Sequence, residues 1–128
     1  MFKITSLYAA LMVFVYIVLT VRVVIIRKRL QVTLGDAQHP QLQRAIRAHG
    51  NFIEYVPFSL FLLMLLEGTQ KFSVLIHLLA MLLLTGRLLH AFSVSCVCEN
   101  IKIRVVGMGM TLSVLGVLGV LLLINFFV

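Results

Sequence analysis

Four long apolar runs separated by short polar segments constrain this chain more than any other feature of its sequence. A helix rises 1.5 Å per residue, so about 20 residues cross the hydrocarbon of a bilayer. The runs cover residues 4–26, 40–66, 72–92 and 103–128, and each is long enough. Arg27-Lys28-Arg29 closes the first run, and Gly35-Asp36 reads as a turn in the polar connection that follows. Pro40 suits the first position of the next helix. The short turn Glu67-Gly68-Thr69-Gln70-Lys71 makes the second and third runs antiparallel neighbours. The expected architecture is an all-α integral membrane bundle of four transmembrane helices in a single domain, residues 1–128. An apolar fraction of 62% and a mean hydropathy of +1.13 exceed those of a soluble domain and agree.

The first run is too long for the core of a signal peptide. Arg22 also stands where a small-residue cleavage site would be needed, so the run is expected to remain as a span. A net charge of +7 could suggest nucleic acid, but the basic residues flank apolar runs and leave no soluble surface for a duplex. Anionic lipid headgroups suit them better. Lys3 and Lys71 fall on one side of the membrane. Arg22, Arg27, Lys28, Arg29, Arg44, Arg47, Arg87, Lys102 and Arg104 fall on the other. That bias predicts cytoplasmic first and third loops, with both termini opposite.

The second run differs from the others. Arg44, Arg47, Asn51 and Glu54 follow at intervals of three, four and three, which places them on one helix face. Residues 56–66 are too few to cross a bilayer alone, so this polar half lies in or against the membrane and should be covered by protein. Ionisable groups at such depth cost roughly 2.5–3.5 kcal/mol each. Arg47 and Glu54 are separated by about 10 Å of helix rise, too far for a direct ion pair, although Asn51 can bridge them. Glu54 therefore calls for a cation from elsewhere, with Arg87 and Arg104 as candidates.

A structural reading has these groups satisfying one another, with Arg44 as an interfacial cation. A functional reading matches guanidinium groups, a carboxylate, an amide and Tyr55 to a small zwitterionic peptide. Arginine pairs bidentately with carboxylates, and asparagine both donates to and accepts from a peptide group. His39, His49, His77 and His90 are scattered and form no metal constellation, and Cys96 and Cys98 read as free thiols. Gly109, Ser113 and Gly116 make a small-residue face suited to helix packing.

The segment Arg47-Ala48-His49-Gly50-Asn51-Phe52-Ile53-Glu54-Tyr55-Val56-Pro57 resembles the second-helix signature of the MAPEG family (membrane-associated proteins in eicosanoid and glutathione metabolism). Gly86-Arg87-Leu88-Leu89-His90 resembles the end of that family's third helix, and Arg104-Val105-Val106-Gly107-Met108 the start of its fourth. The resemblance spans the whole chain. It implies a homotrimer that binds glutathione, as co-substrate, between subunits near the cytoplasmic face. Arg47, Asn51, Glu54 and Tyr55 would hold the tripeptide, and Arg87 and His90 would line the pocket. Arg104 would stabilise the glutathione thiolate, and Arg27 or Arg22 would come from a neighbouring subunit.

Gly50 stands where the prostaglandin-synthase branch has an arginine. Val94 aligns where eicosanoid branches have a tyrosine. The implied role is therefore a general glutathione transferase or peroxidase, like that of small bacterial members, acting on hydrophobic electrophiles delivered through the bilayer. A free thiol with pKa about 8.5 is only slightly ionised at neutral pH, and lowering it by two units stabilises the anion by about 2.7 kcal/mol. The alternatives are a non-catalytic lipid- or glutathione-binding scaffold of the same fold and a small proton-coupled exporter. Two arginines preceding Glu54 would repel the cationic substrate of such an exporter.

Overall fold

The computed structural model describes residues 2–96 and 100–127. They form four α-helices and, among the described residues, no strand: α1 (Lys3–Leu30), α2 (Pro40–Gly68), α3 (Ser73–Ser95) and α4 (Ile101–Phe127). All four are long and apolar enough to cross a membrane. The central pair is α2 and α3, each of which packs against every other helix, while α1 and α4 lie apart on opposite sides. Met12, Phe52, Leu63, Leu66, Ile76, Leu83, Val114 and Leu118 meet in the core. Phe14, Val18, Leu123 and Phe126 project outward, as expected of side chains solvated by lipid tails.

The helix ends explain where the spans stop. The basic cluster lies in the last turn of α1, where it complements the negative end of the helix dipole. There Gln31 adopts a left-handed conformation, and the Val32 N–H bonds the Arg27 carbonyl at 3.1 Å, closing the helix with a Schellman-type cap. Gly35 then turns the chain at φ 68°. Pro40 occupies the start of α2.

One expectation needs correction. The segment from Glu67 is not simply a turn, because α2 continues to Gly68 and Glu67 is buried. Its carboxylate accepts the Ile4 N–H at 2.9 Å and the Thr5 N–H at 2.8 Å, satisfying donors that the first turn of α1 leaves unpaired. A residue 62 positions away in sequence thus caps α1.

The Gly109-Ser113-Gly116 face, which suits either a tight bundle or an oligomer, is not the one that α4 packs against α3. A Cβ on Gly107 would lie 2.7 Å from the Gly86 carbonyl oxygen and 2.8 Å from the His90 nitrogen, whereas Gly109 and Gly116 have open space. Gly107, Thr111, Val114 and Leu118 make the buried stripe of α4. The helix therefore turns Gly107 toward α3 and leaves Gly109 and Gly116 outside the α3–α4 seam.

Candidate functional site

The most enclosed charge among the described residues is Arg87, which is only 1% exposed. It sits in α3 one residue after Gly86, where the glycine contact draws α3 and α4 together. One guanidinium nitrogen, Nη1, donates to Asn51 Oδ1 on α2 at 2.8 Å. The other, Nη2, points to the Gly107 carbonyl on α4 at 3.4 Å and to Met108 Sδ at 3.9 Å. The Tyr55 ring lies beneath the group, 5.4 Å from guanidinium carbon to ring centroid. Arg87 thus ties three helices together, yet no carboxylate among the described residues pairs with it, and its Nε is buried without a partner. A buried cation with a polar but uncharged surround attracts an anionic group.

The polar ladder on α2 divides in space. Buried Ala45, Ala48, Phe52, Val56, Ser59 and Leu63 define the core-facing stripe. Asn51 and Tyr55 stand on the flank toward α3, half-buried, where they meet Arg87. Arg47 and Glu54 stand on the outward face, exposed, together with Phe58, Phe61 and Leu65. The expectation that this ladder is a site enclosed by protein therefore fails within one chain for Arg47 and Glu54. The reason is angular. At about 100° per residue, Glu54 lies about half a turn from the line through Ala45, Phe52 and Leu63. Nor does Asn51 bridge Arg47 to Glu54, since its carbonyl accepts from Arg87. Glu54 takes no cation from α3, because Arg87 is held by Asn51 and Gly107.

Of the remaining residues singled out, His90 is buried one turn beyond Arg87, against the Gly107 backbone. Arg104 lies in the first turn of α4 with an exposed side chain, and its N–H bonds the Asn100 carbonyl at 3.2 Å. Arg27 donates to the Gly35 carbonyl at 2.8 Å, and Arg22 to the Ser95 carbonyl at 2.6 Å. Each of these two thus has a partner within its own chain. Cys96 is a free, half-buried thiol; Cys98 lies outside the described residues.

Sequence reasoning missed the roles of Gly107 and Met108 around Arg87, and no spacing rule points to them. It also missed a contact on the opposite flank of α2, where His49 stacks on Tyr16 of α1 with ring centroids 5.2 Å apart.

The MAPEG family model matches residues 5–124, and thus all four helices. Two inner membrane proteins named YecN, one from Escherichia coli K12 and one from the O6:H1 strain, are each 34% identical to this chain over 89 residues. The matched segment covers 70% of this chain and 68% of each relative. With four helices of membrane-crossing length arranged about one enclosed arginine, the chain is a multi-pass integral membrane protein and belongs to the MAPEG family.

Proposed function

We propose that this protein binds glutathione at the Arg87 cluster and activates its thiol for transfer to hydrophobic electrophiles or for reduction of lipid hydroperoxides. The observation that carries the reading is the Arg87 guanidinium, enclosed beside Asn51 and Tyr55 with no carboxylate pairing with it among the described residues. A carboxylate of the tripeptide would supply the missing anion, Asn51 a peptide contact and Glu54 a partner for the ammonium. Arg104 would hold the thiolate. In conjugation the thiolate sulfur displaces a leaving group from the electrophile, and the thiol proton leaves with it. Membership of the MAPEG family, membrane-associated proteins in eicosanoid and glutathione metabolism, supports this chemistry.

The exposure of Arg47 and Glu54 supports assembly as a homotrimer. Charges turned outward at membrane depth cost roughly 2.5–3.5 kcal/mol each unless another subunit covers them. The positive bias of the first and third loops supports placing those loops in the cytoplasm, and the name of the matched relatives supports an inner-membrane location.

Calorimetric titration of the detergent-purified protein with glutathione tests the reading. Wild type should bind, Glu54→Ala should weaken binding at least tenfold, and Arg104→Ala should abolish turnover of an activated aryl halide while binding persists. Absence of binding heat in wild type would remove glutathione from the account. A second reading, a non-catalytic scaffold, is favoured by the way Arg87 links α2, α3 and α4. Binding of glutathione by wild type without turnover of the aryl halide would select it, whereas unchanged turnover in Arg104→Ala would remove Arg104 from the catalytic role.

A further inference from the structure

A second set of cations lies along one side of α1. Val18, Arg22, Ile25 and Arg29 follow at intervals of four, three and four, so they share one helix face. That face borders two grooves, and Val18 and Arg22 line both. The first, about 450 Å³, lies between α1 and α3, with Phe14 and Val18 opposite Leu88 and Phe92, and reaches Arg22 and Ser95. The second, about 520 Å³, continues along α1 from Arg22 past Ile25 to Arg29, with Gln41 of α2 beside it. Neither Arg87 nor any of its partners lines these grooves.

The two arginines are rich in free donors. Arg22 is half-buried and gives one N–H to the Ser95 carbonyl at 2.6 Å. Its other N–H groups, and the exposed Arg29, have no partner among the described residues. The described carboxylates are placed elsewhere. Glu67 is bonded to the start of α1 at the far end of the bundle, Asp36 accepts the Gln38 N–H, and Glu54 stands on the outward face of α2. Two guanidinium groups thus line a groove whose other walls are mostly hydrocarbon, with no negative charge of the chain beside them. A cation partly stripped of water by apolar walls gains most from an anion brought to it. Arginine takes phosphate through paired N–H groups.

Depth selects the carrier of that anion. Arg22 lies about 10 Å of helix rise inside Arg29, and Phe14 about 12 Å further in. From the helix end inward the groove therefore offers two charges and then hydrocarbon. An anionic phospholipid has the same order, with phosphate at the boundary, where both side chains reach it, and an acyl chain inward. A choline head would add a cation against the two arginines. Free phosphate would leave the apolar groove below Arg22 unused, and so would a carboxylate from a second copy.

We propose that the α1 face bearing Arg22 and Arg29 binds an anionic phospholipid. Its phosphate lies between the two guanidinium groups, beside the Gln41 amide, and one acyl chain lies in the groove between α1 and α3. The proposal does not rest on glutathione binding, and either can fail alone.

The test is photolabelling of the purified protein in phosphatidylcholine nanodiscs. One probe is phosphatidylglycerol with a mid-chain diazirine, and the other is phosphatidylcholine with the same chains. The phosphatidylglycerol probe should label Phe14, Leu88 and Phe92 at least fivefold more than the phosphatidylcholine probe does. Arg29→Gln should cut that preference at least threefold while leaving the thermal midpoint near that of wild type. Val18→Trp, which fills the groove, should lower labelling by both probes. Equal labelling by the two probes in wild type, or a preference unchanged in Arg29→Gln, would overturn the proposal and show a face that meets only bulk lipid. Loss of the preference on adding inorganic phosphate would overturn it in favour of the free anion. A preference seen only in Glu54→Gln would overturn it by assigning these arginines to the carboxylate of a second copy.

Discussion

The two flanks of α2 carry polar groups of different kinds, and the difference follows from what each flank packs against. Asn51 and His49 are two residues apart, about 200° around the helix. Asn51 faces a charge, and that charge is enclosed by α2, α3 and α4. His49 faces a neutral tyrosine and a threonine at an open groove between α1 and α2 only. A cation in a low-dielectric setting needs donors and acceptors on several sides, so three helices converge on it. The stacked rings of Tyr16 and His49 need only α1 and α2 around them, and their flank stays open. One helix thereby meets a buried guanidinium on one flank and a pair of stacked rings on the other.

If enclosure of Arg87 depends on the α3–α4 seam, the largest effect should come from that seam. Gly107→Ala is expected to cost about 3 kcal/mol, since the new Cβ meets backbone of Gly86 and His90 that cannot rotate away. Gly116→Ala should change stability by less than about 0.5 kcal/mol. Thermal unfolding of both in detergent checks the contrast, and similar midpoints would break it.

Next in size, Arg87→Met should cost about 2 kcal/mol by leaving the Asn51 amide oxygen without its donor. Wild-type stability in that variant, read by chemical unfolding, would show that the guanidinium is held for a ligand and not for the fold.

The α1 side should be less sensitive in mid-span than at its end. Glu67→Gln is expected to cost about 1.5 kcal/mol by weakening two charge-assisted bonds to the start of α1, with faster amide exchange at Ile4 and Thr5. His49→Phe keeps the stacking on Tyr16 and loses one bond to Thr20, so a cost below about 1 kcal/mol should appear in the same unfolding assay. A larger loss for His49→Phe than for Glu67→Gln would place the anchor of α1 in mid-span.

The four spans were legible because apolar length is a one-dimensional property. A run of about 20 such residues states its own destination. The R-x-x-x-N-x-x-E-x-x-P segment was legible for the same reason, as an unusual set of polar residues at helical intervals. The partition of that set was not. Arg47 and Glu54 share a helix side with Asn51 by spacing, yet only Asn51 stands far enough round toward α3 to reach Arg87. A helical wheel gives relative angles and no absolute direction, and that direction is set by which residues α1, α3 and α4 bury.

Glu67 makes the same point from further away. Beside Gly68 and Thr69 it looks like a turn residue, and nothing local marks it as the cap of a helix 62 positions earlier. Likewise the glycines of α4 are equivalent on paper, and only the crossing with α3 makes Gly107 irreplaceable and leaves Gly116 free. The sequence alone determined that the chain crosses a membrane in four helices with charge threaded into the second. Tertiary packing decided which charges are enclosed, which face outward and what closes each helix. Burial and hydrogen bonding between distant segments depend on distances that no local pattern carries.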